Sequence, residues 1–104
     1  MKTIDVIANE WFDKVNGNSY FAGFISTDYG TNKAKTFTMP FQYGYGDQYI
    51  HEAGDVLNKA GLIQLETYPN GNRESLWRYC KRNNIILRTD KHEKCLKREL
   101  LAIK

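Results

Sequence analysis

The sequence predicts an α+β fold: an N-terminal antiparallel β-meander of about three strands packed against two or three short helices. Three observations predict it. Apolar and polar residues alternate up to Phe41, the period becomes helical after Asp47, and strand-like runs gather in the first half while helix-like runs dominate the second. The 104 residues suit one domain, and 41% hydrophobic with 26% charged side chains is ordinary globular usage, so the chain is expected to fold rather than stay disordered.

Ile4, Val6 and Ala8 alternate with Thr3, Asp5 and Ile7, the period of a strand with one buried face. Asn16-Gly17-Asn18 then signals a tight hairpin whose central residues accept positive φ, with Tyr20 to Thr27 as the partner strand. After the turn formers Asp28 to Asn32, Phe37, Met39 and Phe41 alternate with Thr36, Thr38 and Pro40. Pro40 has no N–H to give a ladder, so this third strand belongs at a sheet edge or ends near that residue.

Ile50, Ala53, Leu57 and Ala60 form one helical stripe, which predicts a helix over about residues 48–60 with Asp47 as N-cap and Gly61 as its left-handed stop. Ile63, Leu65 and Thr67 suggest a short fourth strand ending at the turn Tyr68-Pro69-Asn70-Gly71. A second helix is expected from near Asn72, burying Leu76, Trp77 and Cys80 and capped by Asn83-Asn84. Ile85 to Arg88 reads as a strand. Asp90 with Glu93 reads as a capping box, placing a last helix from Lys91 with Cys95, Leu96, Leu100 and Ile103 inward.

No apolar run approaches the ~20 residues of a membrane helix, and no signal peptide is legible at the N-terminus. With Cys80 and Cys95 as the only cysteines, reduced thiols and a cytoplasmic location are expected. Charge is uneven along the chain. Residues 1–72 hold five basic against eight acidic side chains, a net of −3, whereas residues 73–104 hold ten against four, a net of +6.

That basic last third is the strongest functional signal. Arg73, Arg78, Lys81 and Arg82 share the second predicted helix and Arg88 follows it, with Trp77 and Tyr79 as aromatic support; such a set neutralises phosphates, or else is a solvated helical face. A second candidate surface is the loop with Tyr43, Tyr45 and Tyr49, since tyrosine offers large contact area at low rotamer cost, although part of this run follows the inward face of a strand.

Other constellations are weaker. Tyr43-Gly44-Tyr45-Gly46-Asp47 precedes a helix but is shorter than a nucleotide fingerprint, and Asp47 would occupy the free N–H groups and repel an anion. Cys80, His92 and Cys95 are metal-binding types but lack a nearby fourth ligand, so no metal and no cofactor is expected. His51 stands four residues from both Asp47 and Asp55, a spacing that serves acid–base chemistry or plain surface charge pairing.

The strings Asp-Lys-Val-Asn-Gly-Asn-Ser-Tyr at 13–20 and Pro-Phe-Gln-Tyr-Gly-Tyr-Gly-Asp-Gln-Tyr at 40–49, with Ser-Leu-Trp-Arg-Tyr at 75–79, resemble those of short accessory proteins of bacteriophages and prophages. The resemblance brings no residue roles. It implies a phage context, in which small proteins are often non-enzymatic inhibitors of host machinery, including anti-CRISPR and other anti-defence proteins. The expected function is therefore a non-enzymatic binding protein, engaging a nucleic acid or a ribonucleoprotein or other host complex through the basic helix. Its alternatives are a protein-binding module built on the tyrosine loop and a small acid–base enzyme around His51.

Overall fold

The computed structural model describes residues 1–103, so Lys104, counted in the basic block, lies outside them. Strands β1 (Thr3–Asp13), β2 (Asn18–Thr27) and β3 (Lys35–Tyr43) form the expected antiparallel meander. Helices α1 (Gln48–Lys59) and α2 (Leu76–Arg82) follow, then β4 (Ile86–His92) and α3 (Lys97–Leu101). The sheet order is β3-β2-β1-β4, with β4 parallel to β1. The meander and the helices bear out the predicted α+β class, and β3 with its Pro40 lies at an edge.

The hairpin differs in detail from the expected two-residue turn. Lys14 to Gly17 connect β1 and β2, and the Gly17 N–H donates to the Asp13 carbonyl at 2.7 Å. Gly17 has positive φ and Asn16 does not. The Asp13 carboxylate takes over the organising role, accepting from the Val15 N–H at 3.0 Å and from the Asn16 side-chain amide at 2.8 Å. These bonds hold its pKa below the usual carboxylate range, the Asn16 amide contributing most.

Alternation then sorts side chains onto two faces. Ile4, Val6, Ala8, Ile25 and Met39 pack under α1 and α2 with Ile50, Ala53, Leu57, Leu76 and Cys80 in the main core. On the opposite face Ala22, Leu100 and Ile103 are buried with Trp11, Tyr20, Phe41 and Cys95 against them, so α3 covers this smaller core. Beyond α3 that face is open, leaving Ile7, Phe24 and Ile86 exposed.

Phe41 was expected on the same side as Phe37 and Met39. Gly23 pairs with Met39 whereas Phe21 pairs with Gln42, so β3 carries an extra residue around Pro40 and Phe41. That bulge reverses the alternation and turns Phe41 into the smaller core, where it stacks on Tyr20 with ring centroids 5.0 Å apart.

Three further expectations are corrected. Ile63 to Thr67 is no strand; it makes one isolated bridge, Thr67 to Arg73, although Ile63 and Leu65 are buried as their alternation implied. The second helix begins at Leu76, not near Asn72, because the Ser75 hydroxyl accepts the Arg78 N–H at 3.2 Å and caps it there. Residues 91 and 92 do not open a helix. The local capping signal loses to a seven-residue parallel ladder with β1, and Lys94 at positive φ ends the extended run. The last helix starts at Lys97, where the Glu99 carboxylate accepts the Leu96 N–H at 2.8 Å; Leu96 is exposed, not inward.

Candidate functional site

The five cations singled out by sequence do not form one patch. Arg88 pairs in register with Asp5, its Nε and Nη2 donating to the carboxylate at 2.6 and 2.9 Å. Because Ile4 and Val6 face α1 and α2, Asp5 and Arg88 project from the other side of the sheet, away from α2. Hydrogen bonding to Asp5 raises the Arg88 pKa further.

Arg73 and Arg82 are engaged as well. Arg73 donates to Asp55 on α1 at 3.2 Å. Arg82 grips Glu74 through Nε at 2.7 Å and Nη2 at 2.9 Å, and lies 3.7 Å from Glu66. Glu74 is only 3% exposed and also accepts the Glu66 N–H at 3.1 Å. The Arg82 hydrogen bonds hold its carboxyl below the usual range against the opposing pull of burial. Arg82 further lies over the Tyr79 ring of the same helix, 5.1 Å from its centroid, while its contacts with Glu74 and Glu66 tie α2 to the preceding loop.

What remains on α2 is a smaller, well-defined surface. Arg78 and Lys81 make no ion pair among the described residues. Trp77, expected in the core, is 40% exposed. A seven-residue helix docks along a narrow stripe, here Leu76 and Cys80 one turn apart, and Trp77 falls a hundred degrees or so to the side of it. Ser75, Trp77, Arg78, Lys81 and Arg82 line a shallow depression. Trp77 and Lys81 form one i, i+4 row and Arg78 and Arg82 the next, so aromatic and cationic groups run side by side.

Two neighbours that sequence did not place here brace this surface. His51 of α1 meets Trp77 edge to face, with centroids 5.5 Å apart. Tyr68, in the turn before α2, lies under the Arg78 guanidinium at 5.7 Å. No local spacing announces either contact, because both are made by elements distant in sequence. His51 forms no ion pair with Asp47 or Asp55 among the described residues; Asp55 is turned to Arg73 instead.

The tyrosine loop is also divided. Tyr43 and Tyr45 are 59% and 70% exposed, whereas Tyr49 is 6% exposed and belongs to the core. The stripe of α1 begins one residue earlier than expected, with Tyr49, Ala53 and Leu57 in line beside Ile50. The loop itself is pinned. The Gly44 N–H donates to the Ser19 carbonyl at 3.1 Å, and a Cβ on Gly44 would press within 2.6 Å of the Phe21 ring. Lys91 donates to the Gly46 carbonyl at 3.3 Å while paired with Glu10 at 3.1 Å. The Asp47 side chain makes no capping hydrogen bond, contrary to expectation.

The cysteines lie on opposite sides of the sheet, Cys80 in the main core and Cys95 against the smaller one. Burial pushes the Cys80 thiol up to about 11. No group of three or more metal-ligating side chains occurs among the described residues, and none of their helices is long and apolar enough to cross a membrane. No protein-family model, curated protein or solved structure matches this chain.

Proposed function

We propose that this chain is a non-enzymatic binding protein that engages a nucleic acid, free or within a host nucleic-acid-handling complex, through the exposed surface of α2. The observation that supports this reading most is the pairing pattern itself. Arg73, Arg82 and Arg88 are held by carboxylates, while Arg78 and Lys81, which make no ion pair among the described residues, lie beside an exposed indole on the same helix. Free cations beside an aromatic face match phosphates beside bases. In keeping with the resemblance to phage accessory proteins, the binding would act on host machinery in the cytoplasm, as anti-CRISPR and other anti-defence inhibitors do.

Two free cations set the expected salt dependence. Neutralising about two phosphates gives a slope of roughly −1.4 to −1.8 in log affinity against log salt, so affinity falls about tenfold between ~50 and ~200 mM salt. Joint replacement Arg78→Gln with Lys81→Gln should nearly abolish that slope in a filter-binding or anisotropy titration, while Arg73→Gln leaves it unchanged. Retention of no DNA, RNA or ribonucleoprotein at low salt refutes the proposal.

A second reading keeps its own observation: Tyr43 and Tyr45 project from a pinned loop, a rigid aromatic surface suited to a protein partner. Tyr43→Ala with Tyr45→Ala abolishes partner capture under this reading and leaves it intact under the first.

A further inference from the structure

The surface of α2 carries more than a preference for negative charge. We infer that it selects single-stranded nucleic acid, with one base stacked on Trp77 and the flanking phosphates on Arg78 and Lys81. The inference rests on the proposed role of α2 and adds the state of the strand.

The indole is the first reason. Among the described residues its only aromatic neighbour is His51, at an interplanar angle of 74°, and an edge-to-face contact occupies at most one of the two indole faces. Trp77 also lines the depression shared with Ser75, Arg78, Lys81 and Arg82, so the indole borders the same hollow as the free cations. In a duplex the base faces are already stacked on one another, and an indole gains nothing from them. In a single strand they are available, and base–aromatic stacking is tolerant of sequence.

The second reason is arithmetic. A duplex binder without base readout depends on many phosphate contacts, commonly six to ten in the salt-sensitive cases. Here the pairings of Arg73, Arg82 and Arg88 remove three cations from that count, and Arg88 is on the far side of the sheet. The two remaining need a non-ionic contribution, and the exposed ring is the group that supplies it.

The third reason is shape. α2 has seven residues, about 10 Å of helix, and ends in a left-handed turn at Asn84. Its Asn83 amide, the kind of group that reads adenine in a major groove, instead donates to the Tyr79 carbonyl at 2.9 Å. That leaves Arg78 and Lys81, on about two turns of helix, as the groups α2 can bring to a groove.

The test titrates the full chain with labelled oligo-dT and oligo-U of about 12 nucleotides, within the usual site sizes, and with a duplex of equal length, at about 50 mM salt. Either single strand should bind at least about tenfold tighter than the duplex; binding of oligo-dT alone assigns DNA, and of oligo-U alone RNA. Trp77→Ala should weaken single-strand binding roughly five- to hundredfold, the range of one lost stacking contact, while Trp77→Phe, which keeps a ring, retains most of it. Binding should also quench indole emission in the wild type and lose most of that quenching in Trp77→Phe, which decides the matter if Trp77→Ala fails to fold. Equal affinity for duplex and single strand, with Trp77→Phe quenched like wild type, overturns the stacking inference and leaves α2 as a plain cationic surface. Failure of all three probes to bind overturns the single-strand inference, and the proposed function falls with it when no ribonucleoprotein is retained at low salt either.

Discussion

Glu74 is a carboxylate with almost no access to solvent, and it is tolerated because two guanidinium hydrogen bonds and a backbone N–H satisfy its oxygens. Its pKa is depressed in the folded chain by those Arg82 bonds. Between the native value and the ordinary 4.5 the unfolded chain therefore binds more protons, so stability rises with pH across that window. The contribution is complete above the ordinary carboxylate value and disappears as acid protonates Glu74. Glu74→Gln should cost about 2 kcal/mol at neutral pH, less than the ~3–5 of a fully buried pair because Arg82 is partly exposed. Urea melts from about pH 7 to pH 3 should show a shallower acid loss for the variant than for the wild type.

At the level of elements, close approach of backbones matters as much as periodicity. Gly23 lies opposite Ala8 on β1, and a Cβ there would overlap the Ile7 carbonyl oxygen and come within 2.8 Å of the Ala8 Cα. Neither partner is a flexible side-chain tip, so β1 and β2 must separate to accept it. Gly23→Ala is expected to lose about 3 kcal/mol, the upper end of overpacking costs, measured as a lowered denaturation midpoint. The strands β1 to β3, the body of α1 and the Tyr68–Gly71 turn were legible because each is specified by its own residues. The segments that were misread are those where a partner outvotes the local pattern. Asp90 and Glu93 favour a helix start alone, but β1 offers residues 86–92 a ladder, and Phe41 keeps its alternation until a bulge intervenes.

For the molecule as a whole, the charge asymmetry of the sequence is spent in part on its own assembly. Arg73 with Asp55, Arg82 with Glu66, Arg88 with Asp5 and Lys91 with Glu10 each join a cation of the last third to a carboxylate of the first 72 residues. Basic groups that sequence reading assigned to one binding surface are thus divided between two faces and partly neutralised. The sheet also serves two cores at once, and the molecule is thin, 42 × 39 × 19 Å. Loss of the smaller core should therefore propagate. Leu100→Ala, which removes a fully buried side chain of α3, should cost about 2–4 kcal/mol and lower one common transition seen by far-UV circular dichroism and by tryptophan fluorescence, not release α3 separately.

Local sequence alone determined the α+β class, the meander, the helical stripe of α1 and the identity of α2 as the basic, tryptophan-bearing helix, because side-chain period, turn formers and composition act over a few neighbouring residues. Only the tertiary structure decided which cations stay free. Whether Arg78 meets water or Arg82 meets Glu74 depends on groups brought together by packing, and the Coulomb and hydrogen-bond terms that consume a charge act over a few ångströms of space whatever the separation along the chain.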